Sequence, residues 1–294
     1  MENNDSAPSV ARQRLRTFRV PVLVVALAAV LLGTRGLNVL VGNVPVLALI
    51  VGVATAIGAL CCYVWLSRTV ELRPDIPELA PAGRWAALAK GAAIGAAAFL
   101  AVMALIAAFG GVKAIGWGSL GGFVVSLGAF ASVAVNEELL FRGVVFRILE
   151  ERVGTWLALV ASSLLFGLIH LVNGGATLEG TLAIALQGGL MMASAYLATR
   201  SLWVPIALHF AWDFLESGIF SAADSGTTSN GLLHTTLSGP TILTGGEFGP
   251  EAGLVALVVC AVPTVLFLRS AARRGLLRRA PWRAVQSSPA SPVR

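Results

Sequence analysis

Apolar runs long enough to cross a bilayer recur along almost the whole 294-residue chain, and few folds are open to a sequence of that kind. In hydrocarbon, backbone N–H and C=O groups must be satisfied inside the protein, so runs of about 20 apolar residues become helices. The rest of the composition agrees: 56% of residues are hydrophobic, only 12% are charged, and mean hydropathy is +0.82. The expected class is all-α, a polytopic membrane helical bundle. Eight spans fit the pattern, at about 20–34, 42–66, 86–109, 119–146, 154–172, 181–199, 203–220 and 252–268. The first run follows several arginines, precedes further spans and has no small-residue cleavage site, so it is expected to be a retained anchor.

Charge sets the orientation. With eight spans and both termini in the cytoplasm, 18 of the 21 Lys and Arg residues fall on the cytoplasmic side. The exceptions are Arg35, which interrupts the first run, Lys113, and Arg142 inside the fourth span. The loop 221–250 carries no Lys or Arg, which suits the outer side. This distribution explains the net charge of +6 as membrane topology and argues against a nucleic-acid partner. Residues 1–19 then form a basic cytoplasmic tail, 20–270 the membrane domain with its motif-bearing core at 119–220, and 271–294 a second basic tail. The ends, about 1–17 and 280–294, are Ser/Pro/Arg-rich and expected to be disordered. Cys61, Cys62 and Cys260 lie in apolar segments without CxxC spacing, so neither a disulfide framework nor a zinc finger is expected.

Polar residues inside the spans fall into three groups: Glu137, Glu138 and Arg142 on the fourth, Phe166 and His170 on the fifth, His209 and Asp213 on the seventh. Glu138 and Arg142 are one turn apart and can form an ion pair, which leaves Glu137, 100° around the helix, without that partner. His209 and Asp213 share a face, so the carboxylate can accept an imidazole N–H and fix its tautomer. A hairpin turn near Val153 puts Glu137 and His170 at one level, about 25 Å from the turn. If the hairpin projects about 10–15 Å into the cytoplasm, all three groups reach one layer in the inner half of the bilayer. Ionisable groups are costly in hydrocarbon, and three converging sets indicate a functional site. Glu138 with Arg142 reads as a structural pair and Phe166 as packing. Gln187 reads as a helix–helix contact, and the small residues of GAAIGAAAF in the third span as close packing. His234 lies in the outer loop and carries no expectation.

The ordered set EExxxR, FxxxH and HxxxD resembles the CAAX-protease and bacteriocin-processing (CPBP, or Abi) family of intramembrane proteases, which includes the type II CAAX prenyl endopeptidase. It is carried by Glu137-Glu138-Leu-Leu-Phe-Arg142, Phe166-Gly-Leu-Ile-His170 and His209-Phe-Ala-Trp-Asp213. Asp213 stands where many relatives have asparagine.

The resemblance implies a multi-pass hydrolase of the cell membrane that cuts a membrane protein or peptide within the lipid bilayer. Glu137 and His170 would activate the water, His209 and Asp213 would complete the catalytic set, and Glu138, Arg142 and Phe166 would support it. The family is often labelled metalloprotease, and the cofactor stays open between none and one divalent metal. Zinc would draw on His170, His209 and either Glu137 or Asp213. A proton-coupled carrier and a non-catalytic scaffold or immunity protein are the alternatives; a carrier would call for inverted repeats, and none is visible.

Overall fold

The computed structural model describes residues 18–228 and 230–280; of the expected tails, 1–19 and 271–294, the stretches 1–17 and 281–294 lie outside the described residues. Eight main helices make up the bundle: α1 Arg19–Val41, α2 Pro45–Thr69, α3 Arg84–Ala108, α4 Leu120–Val153, α5 Thr155–Val172, α6 Leu178–Thr199, α7 Trp203–Asp213 and α8 Leu254–Arg273. A π-helical stretch, Phe214–Ile219, extends α7. Seven of the helices are long and apolar enough to cross a membrane, and the chain is a multi-pass membrane protein. The eighth, α7, falls just short in length even with its extension, and it is the helix that bears His209 and Asp213.

Three boundaries differ from expectation by five residues or more, one of them the end of α4, which runs seven residues past 146 to Val153. The first helix does not stop at residue 34 but runs through Arg35 to Val41. Arg35 is exposed near the end of the helix and donates to Asn173 Oδ1 at 3.1 Å, so its charge does not have to enter hydrocarbon. The last helix runs five residues past 268, to Arg273.

Burial orders the bundle. In α6, 83% of the apolar window is buried, against 11% in α1, so α6 is central and α1 lies against lipid. The centre is reached by close backbone approach. Gly91 and Gly95 of the GAAIG stretch back onto α7, where a Cβ would run into the carbonyls of Val204 and Leu208. Small residues thus let α3 press directly on the helix that carries His209.

One end of the bundle is tied by ion pairs. Arg19 reaches Glu151 at 2.8 Å, Arg147 reaches Glu71 at 2.6 Å, and Arg73 reaches Glu78 at 2.6 Å. Arg200 pairs with Glu150 and also donates to the Leu276 carbonyl. Exposed Trp65, Trp85 and Trp156 lie at this same end, as interfacial indoles do. Phe166 and His170 are 10 and 14 residues beyond Trp156, about 15 and 21 Å along the helix. The site therefore lies near the middle of a hydrocarbon layer about 30 Å thick. The hairpin tip at Gly154 is two residues from the indole level, so the large cytoplasmic projection assumed from sequence is not needed.

At the opposite end β1 (Val112–Trp117) pairs antiparallel with β2 (Leu233–Leu237), from Val112↔Leu237 to Trp117↔Leu233. The long connection between α7 and α8 folds back there, tied by Gly226 N–H to the Phe248 carbonyl and by Asn173 Nδ2 to the Ser225 carbonyl.

Candidate active site

Three of the helices change locally from α to π winding: α4 over Leu139–Phe146, α6 over Ala185–Gly189, and α7 into Phe214–Ile219. Each change adjoins a polar residue buried in the bundle: Glu138 before the first, Gln187 within the second, Asp213 before the third. Such wider turns shift the register of side chains and often occur at functional sites.

The first motif is assembled around Arg142, which is 2% exposed. Its guanidinium donates to Glu138 Oε1 at 2.6 Å and to the Gly189 carbonyl at 3.0 Å. It also lies 4.4 Å from the centre of the Phe166 ring. Phe166 in turn sits 5.0 Å from the His170 ring and 6.0 Å from the His209 ring, centre to centre. It is the packing element that places both imidazoles.

His209 bridges the motifs. Its Nδ1 is 2.9 Å from Glu138 Oε1, and its Nε2 is 3.2 Å from Asp213 Oδ2 and 3.9 Å from Glu137 Oε2. Glu137 is buried, and its Oε2 has no hydrogen-bond partner among the described residues. His170 is half-buried, and its Nδ1 lies 2.8 Å from the Phe166 carbonyl. A carbonyl only accepts, so Nδ1 carries the proton and the lone pair of neutral His170 is on Nε2.

Glu137, Phe166, His170, His209 and Asp213 line one cavity of about 340 Å³, whereas Glu138 and Arg142 are packed behind it. Exposed Arg35 and Val39 of α1 and Thr227 mark its rim, at the end away from the ion pairs. Gln187 lines the same cavity, close to Glu251 and Cys260, and so is more than a contact between helices.

Sequence reasoning missed three acids around this cavity. Glu216 lies one turn beyond Asp213 and two beyond His209, a spacing that could have revealed it. Asp224 and Glu251 come from irregular segments, where no periodicity gives them away. One carboxylate oxygen of each of Glu216, Asp224 and Glu251 lies within 4.8 Å of the others. Burial, and then the charge of Asp213, push the Glu251 carboxyl up to about 8 and raise Asp224 well above its ordinary value.

The residues considered for zinc do not form such a cluster. Among the described residues, Glu216, Asp224 and Glu251 are the one set of three ligand atoms found close enough for a metal, and it includes neither histidine. Both His209 nitrogens already face carboxylates. The residues present do not fit a catalytic zinc site built from His170, His209 and Glu137 or Asp213.

Residues 119–215 match the family model described as type II CAAX prenyl endopeptidase Rce1-like, a stretch that covers about a third of the chain and all three motifs. Comparison with curated proteins and with solved structures gives no significant match. The family supports a CAAX-type intramembrane protease as the general class. Residues 119–215, the segment that carries every motif residue of the site, are thus similar to the Rce1-like family.

Proposed function

We propose that the protein is an endopeptidase of the cell membrane that hydrolyses a peptide bond in a membrane-associated or lipidated protein or peptide. The observation that carries this reading is the state of Glu137. Its Oε2 is buried, has no protein partner among the described residues, and belongs to a residue on the wall of a cavity that also holds two imidazoles. A buried acceptor of this kind is where a water would be held.

In this mechanism Glu137 takes a proton from that water as its oxygen attacks the scissile carbonyl carbon, and later delivers the proton to the leaving amine. The Nε2 lone pair of His170 helps to orient the water. His209, held at Nδ1 by Glu138 and at Nε2 by Asp213, lies on the cavity wall and stabilises charge developing on the substrate oxygen through its field. Arg142 and Phe166 position these groups without touching substrate. No step needs a metal from the histidine set. The rim residues lie at the end away from the basic belt, so the substrate is one presented from that end or from the bilayer.

The test compares the peptides of membranes that contain the native protein or Glu137→Gln. Uncut precursors should accumulate with the variant while its melting temperature in detergent stays that of the native protein. An unchanged peptide profile would exclude Glu137 as the base.

A further inference from the structure

We propose that Glu216, Asp224 and Glu251 form a binding site for a calcium-sized divalent cation, separate from the catalytic groups and seated where α7, the α7–α8 connection and the start of α8 meet. The three carboxylates come from distant parts of the chain, and one oxygen of each lies within 4.8 Å of the others. Glu216 is fully buried; its Oε2 accepts from the Trp212 indole at 2.8 Å, and its Oε1 has no partner among the described residues. No Lys or Arg forms an ion pair with any of the three among the described residues, although every acid of the basic belt has one. Two buried carboxylates and a half-buried one this close together, with one oxygen left bare, lack a positive charge.

The donor set selects the ion. Three carboxylates with no thiolate or imidazole suit a hard cation and not zinc or copper. Oxygens at the 2.3–2.6 Å typical of calcium span up to about 5 Å across the ion, and the three oxygens here lie within 4.8 Å of one another. Magnesium usually keeps several waters and takes only one or two carboxylates from a protein, so a set of three protein carboxylates favours calcium. Glu251 is held in place for coordination, since its Oε1 accepts from Ser225 Oγ at 2.9 Å and from the Ser225 backbone N–H, which leaves further lone pairs for a metal. Asp224 and Glu251 also line the cavity, so water can reach the ion and complete its shell. A cation here would pin the connection over the cavity against α7.

Binding tests this independently of any protease activity. Full-length protein in detergent, stripped with chelator, is titrated with terbium under tryptophan excitation, because Trp212 lies within energy-transfer range of the site. Saturable emission should appear, be reversed by calcium and resist the same concentration of magnesium. Glu216→Gln and Glu251→Gln should each weaken terbium binding at least tenfold, with Asp224→Asn as a third variant if either misfolds. Glu179→Gln, at an exposed position, should bind as the native protein does. Calcium should raise the melting temperature of the native protein and leave those of the Glu216 and Glu251 variants unchanged. Absence of saturable emission, or emission indifferent to all three ligand variants, would overturn the site. So would a Glu216→Gln protein more stable than the native one with calcium inert on both, which is how carboxyls that merely share protons behave.

Discussion

A single oxygen, Oε1 of Glu138, lies 2.6 Å from Arg142 and 2.9 Å from Nδ1 of His209, so one carboxylate holds the guanidinium of the first motif and the imidazole of the third. Glu137, the adjacent residue, holds neither. The two glutamates should therefore respond differently to the same change. Glu138→Gln leaves Arg142 as a buried charge without its counter-ion and should cost about 3–5 kcal/mol of stability together with activity. Glu137→Gln should remove activity alone. Melting temperatures in detergent beside a cleavage assay check this, and a Glu138→Gln protein as stable as the native one would contradict it.

Among the described residues His170 makes one hydrogen bond, to the Phe166 carbonyl on its own helix, and it is half-buried. Its removal should be cheap for the fold and expensive for the chemistry. His170→Ala should reduce turnover by about 10²-fold, because the attacking water loses the lone pair that orients it, and stability by about 1 kcal/mol. Comparable losses of both would reassign His170 to a structural role.

Asp213 Oδ2 lies 3.2 Å from His209 Nε2, at a position where the resembled family's pattern also has asparagine. An amide oxygen can accept the same N–H, although without the charge. Asp213→Asn should therefore keep activity within about tenfold of native, whereas Asp213→Ala, which cannot accept, should lose it. The pair of variants, assayed on one substrate, separates hydrogen bonding from charge at this position.

The helices and the three motifs were legible in the sequence for the same reason. Hydrocarbon forces apolar runs into helices, and against that background Glu137, Arg142, His170 and His209 stand out. What escaped depended on distant partners. Arg35 reads as the end of a helix until Asn173 is seen to receive it. Residues 112–117 gain their strand character only from pairing with 233–237, more than a hundred positions away. Asp224 and Glu251 are ordinary loop acids until the α7–α8 connection folds back over the cavity. Glu216 was legible by spacing, because it shares a face with His209 and Asp213, and was passed over because it completes no motif.

Gly95 gives the packing of α7 a direct test. A side chain there meets the Leu208 carbonyl on the facing helix, one residue before His209. Overpacking of this kind typically costs about 1–3 kcal/mol, and here it would also push His209 away from Glu138. Gly95→Leu should lower both melting temperature and activity. Gly58→Ala, where nothing lies within 4 Å of the added Cβ, should preserve both. Equal behaviour of the two variants would mean that the α3–α7 contact does not position the site.

The belt of ion pairs predicts how the fold responds to acid. Glu78, on the short connection between α2 and α3, accepts from Tyr63 Oη at 2.6 Å and from both terminal nitrogens of Arg73. Burial works to raise its carboxyl, but hydrogen bonds from Arg73 and Tyr63 outweigh burial and hold it below the usual glutamate value. A carboxyl lowered on folding contributes stability in full above its unfolded value, near 4.5. That contribution is lost as pH falls through the lower, folded value. Native protein should therefore lose melting temperature progressively below about pH 4.5, because the unfolded chain then binds more protons than the folded one. Glu78→Gln should start less stable at pH 7 and show a shallower decline over the same interval. Parallel curves for the two proteins would show that this carboxylate does not govern the acid limb.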